Sequence, residues 1–417
     1  MNFDFYLTKK MTHPILYLST SLLLSLGGCN SKQVPTTAPE QTPTTATAPE
    51  PMAQPLKTGA EQLELYLPQL QGKRIGMIVN QTSTVGDTHL VDTLLSRGVE
   101  IKTIFAPEHG FRGEADAGAH IKDGNDPKTG LPIISLYGNN KKPLPEQVKD
   151  LDVLLFDIQD VGTRFYTYIS TMHYVMEAAA ENGKEVVILD RPNPNGYYVD
   201  GPVLEPEQKS FVGMHPIPIV HGLTVGELAK MINGEKWLEG QRQAKLTVIP
   251  MANYDHSMPY ELPVKPSPNL PNAQAIALYP SICWFEGTNV SVGRGTPTPF
   301  QLIGSPYYQK KDFSFTPVST PGATNPPHKG VVCFGKDLTE VEVADKIDLA
   351  YLLDMYQNST NKDKFFNSFF ERLAGTSKLR EQVISGKTEA EIRASWQPAL
   401  SDYKTKRKQY LLYPDFN

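Results

Sequence analysis

The chain has 417 residues, 20% of them charged, and a formal net charge of −5. So mild an acidic balance, with no basic stripe and no interleaving of aromatic and basic residues, argues against a nucleic-acid partner. Beyond the N-terminal segment no apolar run is long enough to span a membrane, and the remaining length exceeds that of a usual single domain, so two are expected.

Lys9 and Lys10 precede an apolar run at 15–26, too short for a mature transmembrane helix and read as a signal peptide. It ends Leu26-Gly27-Gly28-Cys29, which resembles the lipobox of bacterial lipoproteins. That implies cleavage before Cys29 and lipid on its sulfur and new amino group, so 1–29 is expected to be a lipoprotein signal and the membrane a partner through the lipid. Asn30 is not the aspartate that retains lipoproteins at an inner membrane. The expected location is the cell envelope, at an outer membrane where one exists. Residues 31–55 are dominated by Pro, Thr, Ala, Glu and Gln and lack aromatic residues. Such a segment cannot bury enough apolar surface to offset chain entropy, so 30–56 is expected to be a disordered tether.

Regular patterning starts at Thr58, a candidate cap for a short helix carrying Leu63, Leu65 and Leu67. Apolar runs predict strands at 73–79, 99–105, 132–136, 152–156, 185–189 and 245–250. Helical spacing predicts helices at 88–97, 165–182 and 224–233, the second closed by Gly183. This alternation predicts an α/β fold, a doubly wound parallel sheet covered on both faces. After residue 260 the chain turns Pro-rich. An apolar stretch at 275–282, short strands at 290–294 and 331–334, and a mainly helical C-terminal end suggest a smaller α+β second domain. The expected domains are 57–265 and 266–417. Cys283 and Cys333 lie in apolar contexts and read as buried thiols.

Polar residues gather where strands end. Ala106-Pro107-Glu108-His109-Gly110-Phe111-Arg112-Gly113 follows one strand, with Pro107 excluding helix and two glycines permitting a tight turn. Asp157-Ile158-Gln159-Asp160-Val161-Gly162-Thr163-Arg164-Phe165-Tyr166-Thr167-Tyr168 and Asp190-Arg191-Pro192-Asn193-Pro194 follow two others. In an open α/β sheet ligands bind at such strand ends. The plainer reading is that Asp157 and Asp190 cap the following helix or turn. A fourth cluster, Glu286-Gly287-Thr288-Asn289-Val290-Ser291-Val292-Gly293-Arg294-Gly295-Thr296, sets Arg294 between two glycines, where it can approach an anion.

No phosphate-binding glycine loop, H-E-x-x-H, C-x-x-C or G-x-S-x-G motif occurs, and His109 and His120 lack zinc-ligand partners at local spacing. No metal and no cofactor are expected. Carboxylates, arginines and aromatic residues together suit acid–base chemistry on a polar anionic substrate, glycoside cleavage being one option.

These four stretches resemble the exo-β-N-acetylmuramidase family, and the resemblance runs from about residue 60 to the C-terminus. It implies a Rossmann-like domain and a smaller C-terminal one with the active site in the cleft between them. It also implies hydrolytic release of N-acetylmuramic acid from non-reducing ends of peptidoglycan fragments. The family's proposed catalytic glutamate matches Glu108. The expected roles are Glu108 as general acid, His109 orienting it or the substrate, and Asp157 or Asp160 as second carboxylate. The substrate's 2-acetamido group is the alternative nucleophile. Arg164, Arg191 and Arg294 compete for the lactyl carboxylate, and Arg112, Gln159, Tyr166, Asn193, Glu286 and Asn289 complete the expected substrate contacts. A non-catalytic envelope lipoprotein binding muropeptides or anionic glycans would present similar loops.

Overall fold

A computed structural model describes residues 54–111, 123–138 and 140–416. The fold is α/β. Its main sheet is built from β1 (Arg74–Val79), β4 (Glu100–Ala106), β5 (Gly124–Asn125), β6 (Pro132–Ser135), β7 (Val153–Asp157), β8 (Glu185–Leu189) and β9 (Lys245–Ile249). A small hairpin, β2 (Thr84–Val85) and β3 (Thr88–His89), leads out of β1. The seven strands lie in the order β5-β6-β4-β1-β7-β8-β9, and only the edge strand β5 is antiparallel. The chain thus winds outward from β1 in one direction through β4 and β6, then returns to the other side of β1. That is the doubly wound Rossmann order, with its switch point at β1.

Side-chain alternation along the strands divides two apolar layers. Ile75, Met77, Val79, Val153, Leu155, Val187 and Leu189 pack with Tyr66 and Leu70 of α1 (Leu63–Leu70) and with Leu90 and Leu94 of α2 (Leu90–Ser96). Ile78, Leu154, Phe156, Val186 and Ile188 face the other way. They meet the short α3 (Pro145–Val148), the long α4 (Tyr168–Asn182) and α5 (Val225–Gly234). Period-two alternation on strands covered on both faces leaves every position of β7 buried. Each aliphatic side chain so buried contributes roughly 1.5–3 kcal/mol. Gly183 ends α4 in the left-handed region at φ 67. Thr224 and Glu227 form a reciprocal capping box on α5.

Residues 275–282 form α6 (Ala273–Ile282), capped by the Asn272 side chain accepting from the Ala275 N–H. A three-stranded antiparallel sheet follows, ordered β10 (Leu302–Ser305), β12 (Cys333–Asp337), β11 (Ser314–Phe315). The C-terminal helices are α7 (Ala350–Gln357), α8 (Phe370–Ala374), α9 (Lys378–Ile384) and α10 (Glu389–Arg407). Thr58 caps the 3-10 turn Gly59–Glu61, with α1 following from Leu63, and the helix expected from 88 starts at Leu90 because Thr88 and His89 form β3. Three further expectations shift. Residues 290–294 make only a single bridge, Ser291 to Gly304, because Gly293 turns the chain at φ 76. The strand expected at 331–334 lies at Cys333–Asp337. Finally, α4 starts at Tyr168, because 163–166 closes a turn with the Tyr166 N–H on the Thr163 carbonyl.

The chain end returns to the main sheet. The Tyr413 hydroxyl donates to Asp190 Oδ2 at 2.6 Å and Tyr403 donates to the His221 carbonyl at 2.6 Å. Cys283 and Cys333 are separate buried thiols. No helix among the described residues is long and apolar enough to cross a membrane. Cys29 and residues 30–53 of the expected tether fall outside the described residues, while its end is held: Leu56 packs with Met251, Tyr254 and Tyr413, and the Pro55 carbonyl accepts from Asn253 Nδ2 at 2.9 Å.

Candidate active site

Glu108 sits in the turn just after β4. The Gly110 N–H closes that turn on the Pro107 carbonyl at 3.0 Å. His109 and Gly110 both lie in the left-handed region, at φ 68 and 79. A non-glycine residue there is uncommon, and such conformations persist where surrounding structure enforces them. The segment after β7 supplies a partner: the Thr167 hydroxyl donates to Glu108 Oε2 at 2.9 Å. The Tyr137 phenol lies beside Glu108; burial pushes its pKa up, and the adjacent carboxylate adds to the effect. Tyr168 donates to the Glu108 main-chain carbonyl at 3.4 Å. Loops from either side of β1 thus converge on one carboxylate, above the switch point.

Glu108 and His109 line a cavity of about 600 Å³. One wall is aromatic, with Phe165, Tyr166, Tyr168, Tyr279 and Phe300 in edge-to-face contacts at 4.9–6.0 Å. Tyr166 is fixed by its hydroxyl on the Pro266 carbonyl at 3.0 Å. Glu286 and Arg294 face the same space, paired at 2.6 Å through Arg294 Nε. Burial alone would lower the Arg294 pKa, but Glu286 outweighs it and the net shift is upward. Burial and Glu286 hold the neighbouring Cys283 thiol well above its usual pKa, so it remains protonated. Phe211, Phe369 and the segment 322–327 complete the lining.

Two parts of one family match the chain. Residues 75–274 match "Exo-beta-N-acetylmuramidase NamZ, N-terminal", and 277–413 match "Exo-beta-N-acetylmuramidase NamZ, C-terminal". The peptidoglycan beta-N-acetylmuramidase NamZ of Bacillus subtilis (strain 168) is 41% identical over 373 residues, 84% of this chain and 89% of that protein. The chain belongs to the NamZ exo-β-N-acetylmuramidase family. Two crystal structures of Bacteroides fragilis proteins described as the DUF1343 family share the fold. One has a TM-score of 0.81 at 49% identity and covers 87% of this chain and all 100% of its own. The other has a TM-score of 0.74 at 32% identity and covers 86% of this chain and 99% of its own.

Of the residues expected in a NamZ site, Glu108, His109, Tyr166, Glu286 and Arg294 share the cavity. The others that the structure describes do not line it. Asp157 is fully buried and held by the Arg191 guanidinium at 2.5 and 2.8 Å, while Arg191 also donates to the Thr84 carbonyl at 3.1 Å. Asp160 Oδ2 accepts the Gly162 N–H at 2.7 Å. The Gln159 amide donates to the carbonyls of Asp160 and Pro192, at 2.8 and 2.6 Å. Asn193 donates to the Leu223 carbonyl and accepts the Asn195 N–H, both at 2.8 Å. Arg164 is fully buried and donates to four main-chain carbonyls, those of Pro202, Ile217, Leu373 and Ala374, at 2.7–3.0 Å. Asn289 donates weakly to the Asn361 carbonyl at 3.4 Å. These side chains brace the loops that carry the site. Asp190, read as a cap, accepts the Gly226 N–H of α5 at 2.8 Å. Arg112 and His120 lie outside the described residues.

Sequence reasoning missed Thr167, Tyr137 and Tyr279, although Thr167 stood inside a quoted motif. Thr167 stands between Tyr166 and Tyr168 and all three line the cavity, so no alternation set it apart. Where a Rossmann sheet takes its dinucleotide, after β1, side chains fill the crevice. Asn80 Oδ1 accepts from the Thr82 N–H and hydroxyl, and Thr82 Oγ1 accepts the Gln159 N–H at 3.0 Å. Among the described residues, the acidic cluster compact enough for a cation is Glu177, Glu181 and Glu239. It already holds the Lys142 ammonium, at 2.9 Å from Glu177 and 2.7 Å from Glu181.

Proposed function

We propose that this chain is an exo-acting β-N-acetylmuramidase that releases N-acetylmuramic acid from the non-reducing ends of peptidoglycan fragments. The observation that carries the reading is Glu108, held by Thr167 and flanked by Tyr137 at the wall of a cavity large enough for a sugar. Family membership and the curated relative support the substrate. In this mechanism Glu108 donates its proton to the glycosidic oxygen as the C1–O bond breaks and the sugar takes on oxocarbenium character; water, directly or after the substrate's own 2-acetamido oxygen, forms the new bond at C1, and the proton it loses returns to Glu108. The aromatic wall packs against the sugar. Asp157 and Asp160 are engaged in the loop itself, so their role is to hold its shape.

The lipobox and the Pro/Thr-rich segment extend the proposal to location: lipid on Cys29 tethers the enzyme at the cell envelope, beside its polymer. Radiolabelled palmitate incorporated by the wild type and lost in Cys29→Ala supports the anchor, whereas equal labelling of both removes it.

Chromogenic β-N-acetylmuramide and β-N-acetylglucosaminide, given to the wild type and Glu108→Gln, test the activity. Release from the muramide alone is expected, falling about 10²–10⁴-fold in the variant. Undiminished release by the variant moves the acid elsewhere. No release by folded protein from either substrate favours a muropeptide-binding lipoprotein.

A further inference from the structure

Muramic acid differs from glucosamine by a lactyl ether ending in a carboxylate, so a site that selects it needs a cation at a fixed point. Three arginines were candidates, and the structure separates them. Arg164 is buried with both terminal nitrogens on main-chain carbonyls. Arg191 is locked on Asp157. Arg294 lines the cavity, and among the described cavity-lining residues it is the one guanidinium.

Its setting is built to present a planar fork. Nε donates to Glu286 Oε1 at 2.6 Å, which fixes one edge. Phe300 lies under the guanidinium, 5.0 Å from ring centroid to Cζ. The backbone is held as well: Gly295 has φ 80, and a Cβ there would meet the Val318 carbonyl oxygen at 2.4 Å and Pro326 Cγ at 2.6 Å. The strand of chain carrying Arg294 is therefore pressed against the segment that forms another wall of the cavity. Neither Nη atom has a hydrogen-bond partner among the described residues. Four of the five guanidinium N–H donors remain, in the geometry that matches a carboxylate bidentately.

We infer that Arg294, oriented by Glu286, receives the carboxylate of the substrate's lactyl ether and so selects muramic acid over glucosamine. The inference rests on the proposed activity and deepens it. Glu286 is on this view a positioning residue: it steadies Arg294 and takes no part in bond cleavage.

The test uses the full chain and three chromogenic substrates: the β-N-acetylmuramide, its lactyl methyl ester, and the β-N-acetylglucosaminide. The ester keeps the shape and removes the charge. Wild type is expected to prefer acid to ester by about 10²-fold in kcat/KM, the range of a hydrogen-bonded charge pair. Arg294→Met should bring that ratio near one, chiefly through KM, and Arg294→Lys should restore part of it. Glu286→Gln should raise KM and leave kcat within a few fold. An acid-to-ester preference that survives in Arg294→Met overturns the receptor. A kcat collapse of 10²-fold or more in Glu286→Gln overturns the positioning role and makes Glu286 a reacting group.

If wild type cleaves none of the three, the proposed activity fails on its own. Calorimetry with free N-acetylmuramic acid and its methyl ester then decides the receptor. A preference for the acid that disappears in Arg294→Met upholds it; equal binding by both proteins, or none, overturns it.

Discussion

The Thr167 hydroxyl donates to Glu108 Oε2 at 2.9 Å, joining the loop after β7 to the loop after β4 across β1. A proton donor needs a fixed direction as well as a proton, and this bond supplies a fixing; Tyr137 stands beside the same carboxylate. Thr167→Val keeps the branched shape and deletes the donor. The expected outcome is a roughly tenfold lower kcat, one hydrogen bond's worth, with KM on the muramide little changed. Steady-state kinetics of Thr167→Val and Tyr137→Phe, alone and together, check this. Unchanged kcat in the double variant would remove both from the machinery.

Arg164 is a strut. Its four carbonyl acceptors belong to residues around 202, 217 and 373–374, so one side chain ties the segment before α4 to the loop before α5 and to the end of α8. Among the described residues no carboxylate bonds to it, and burial lowers its pKa to about 9. Arg164→Met leaves those carbonyls without donors in a buried place. The expected loss is at least 3 kcal/mol of stability, since each stranded group costs about 1–3 kcal/mol. Urea unfolding measures it. For the molecules that still fold, KM for the muramide should match the wild type; a selective rise in KM would return Arg164 to the substrate.

Much of this molecule is legible in its sequence. Strands buried on both faces read as unbroken apolar runs, so β1, β7 and β8 are visible, and Pro107 with Gly110 marks the turn that carries Glu108. What the sequence hides is direction. Asp157, Arg191 and Asn193 have the residue types of a polar binding site, and a loop that must be rigid needs the same types. Asp157 finds Arg191 34 residues away, and Arg164 finds Leu373 209 residues away. Neither spacing carries any periodic signal. The segment 322–327 was equally opaque: a Pro/Gly-rich stretch with no chemistry of its own becomes a cavity wall only through where the chain is laid.

The Asp157–Arg191 pair makes a prediction about stability. Both partners are at most 4% exposed, so neither charge can be rescued by water once the other is gone. Asp157→Ala is expected to cost about 3–5 kcal/mol, and Arg191→Leu a similar amount. The double variant should be less damaged than the sum, because no stranded charge remains. A double-mutant cycle by urea unfolding measures the coupling. Simple additivity would mean that the pair is not acting as a unit.

Glu177 gives the molecule an acid-sensitive joint. It anchors Lys142 at 2.9 Å, accepts the Glu239 N–H at 2.9 Å, and lies 3.4 Å from His173. Burial raises its pKa, but His173, Lys142 and the Glu239 N–H outweigh it and carry the group from 4.5 down to about 2. A depressed carboxylate contributes stability that is fully present above its unfolded pKa and is lost as pH falls through the folded one. The contribution should therefore be complete above about pH 5 and should fade as pH drops towards 2. Glu177→Gln removes the charge while keeping an acceptor. Its urea midpoint should lie below the wild type's at pH 7 and converge on it in acid. A gap of constant size across that range would mean that the glutamate acts through packing, with its charge contributing nothing.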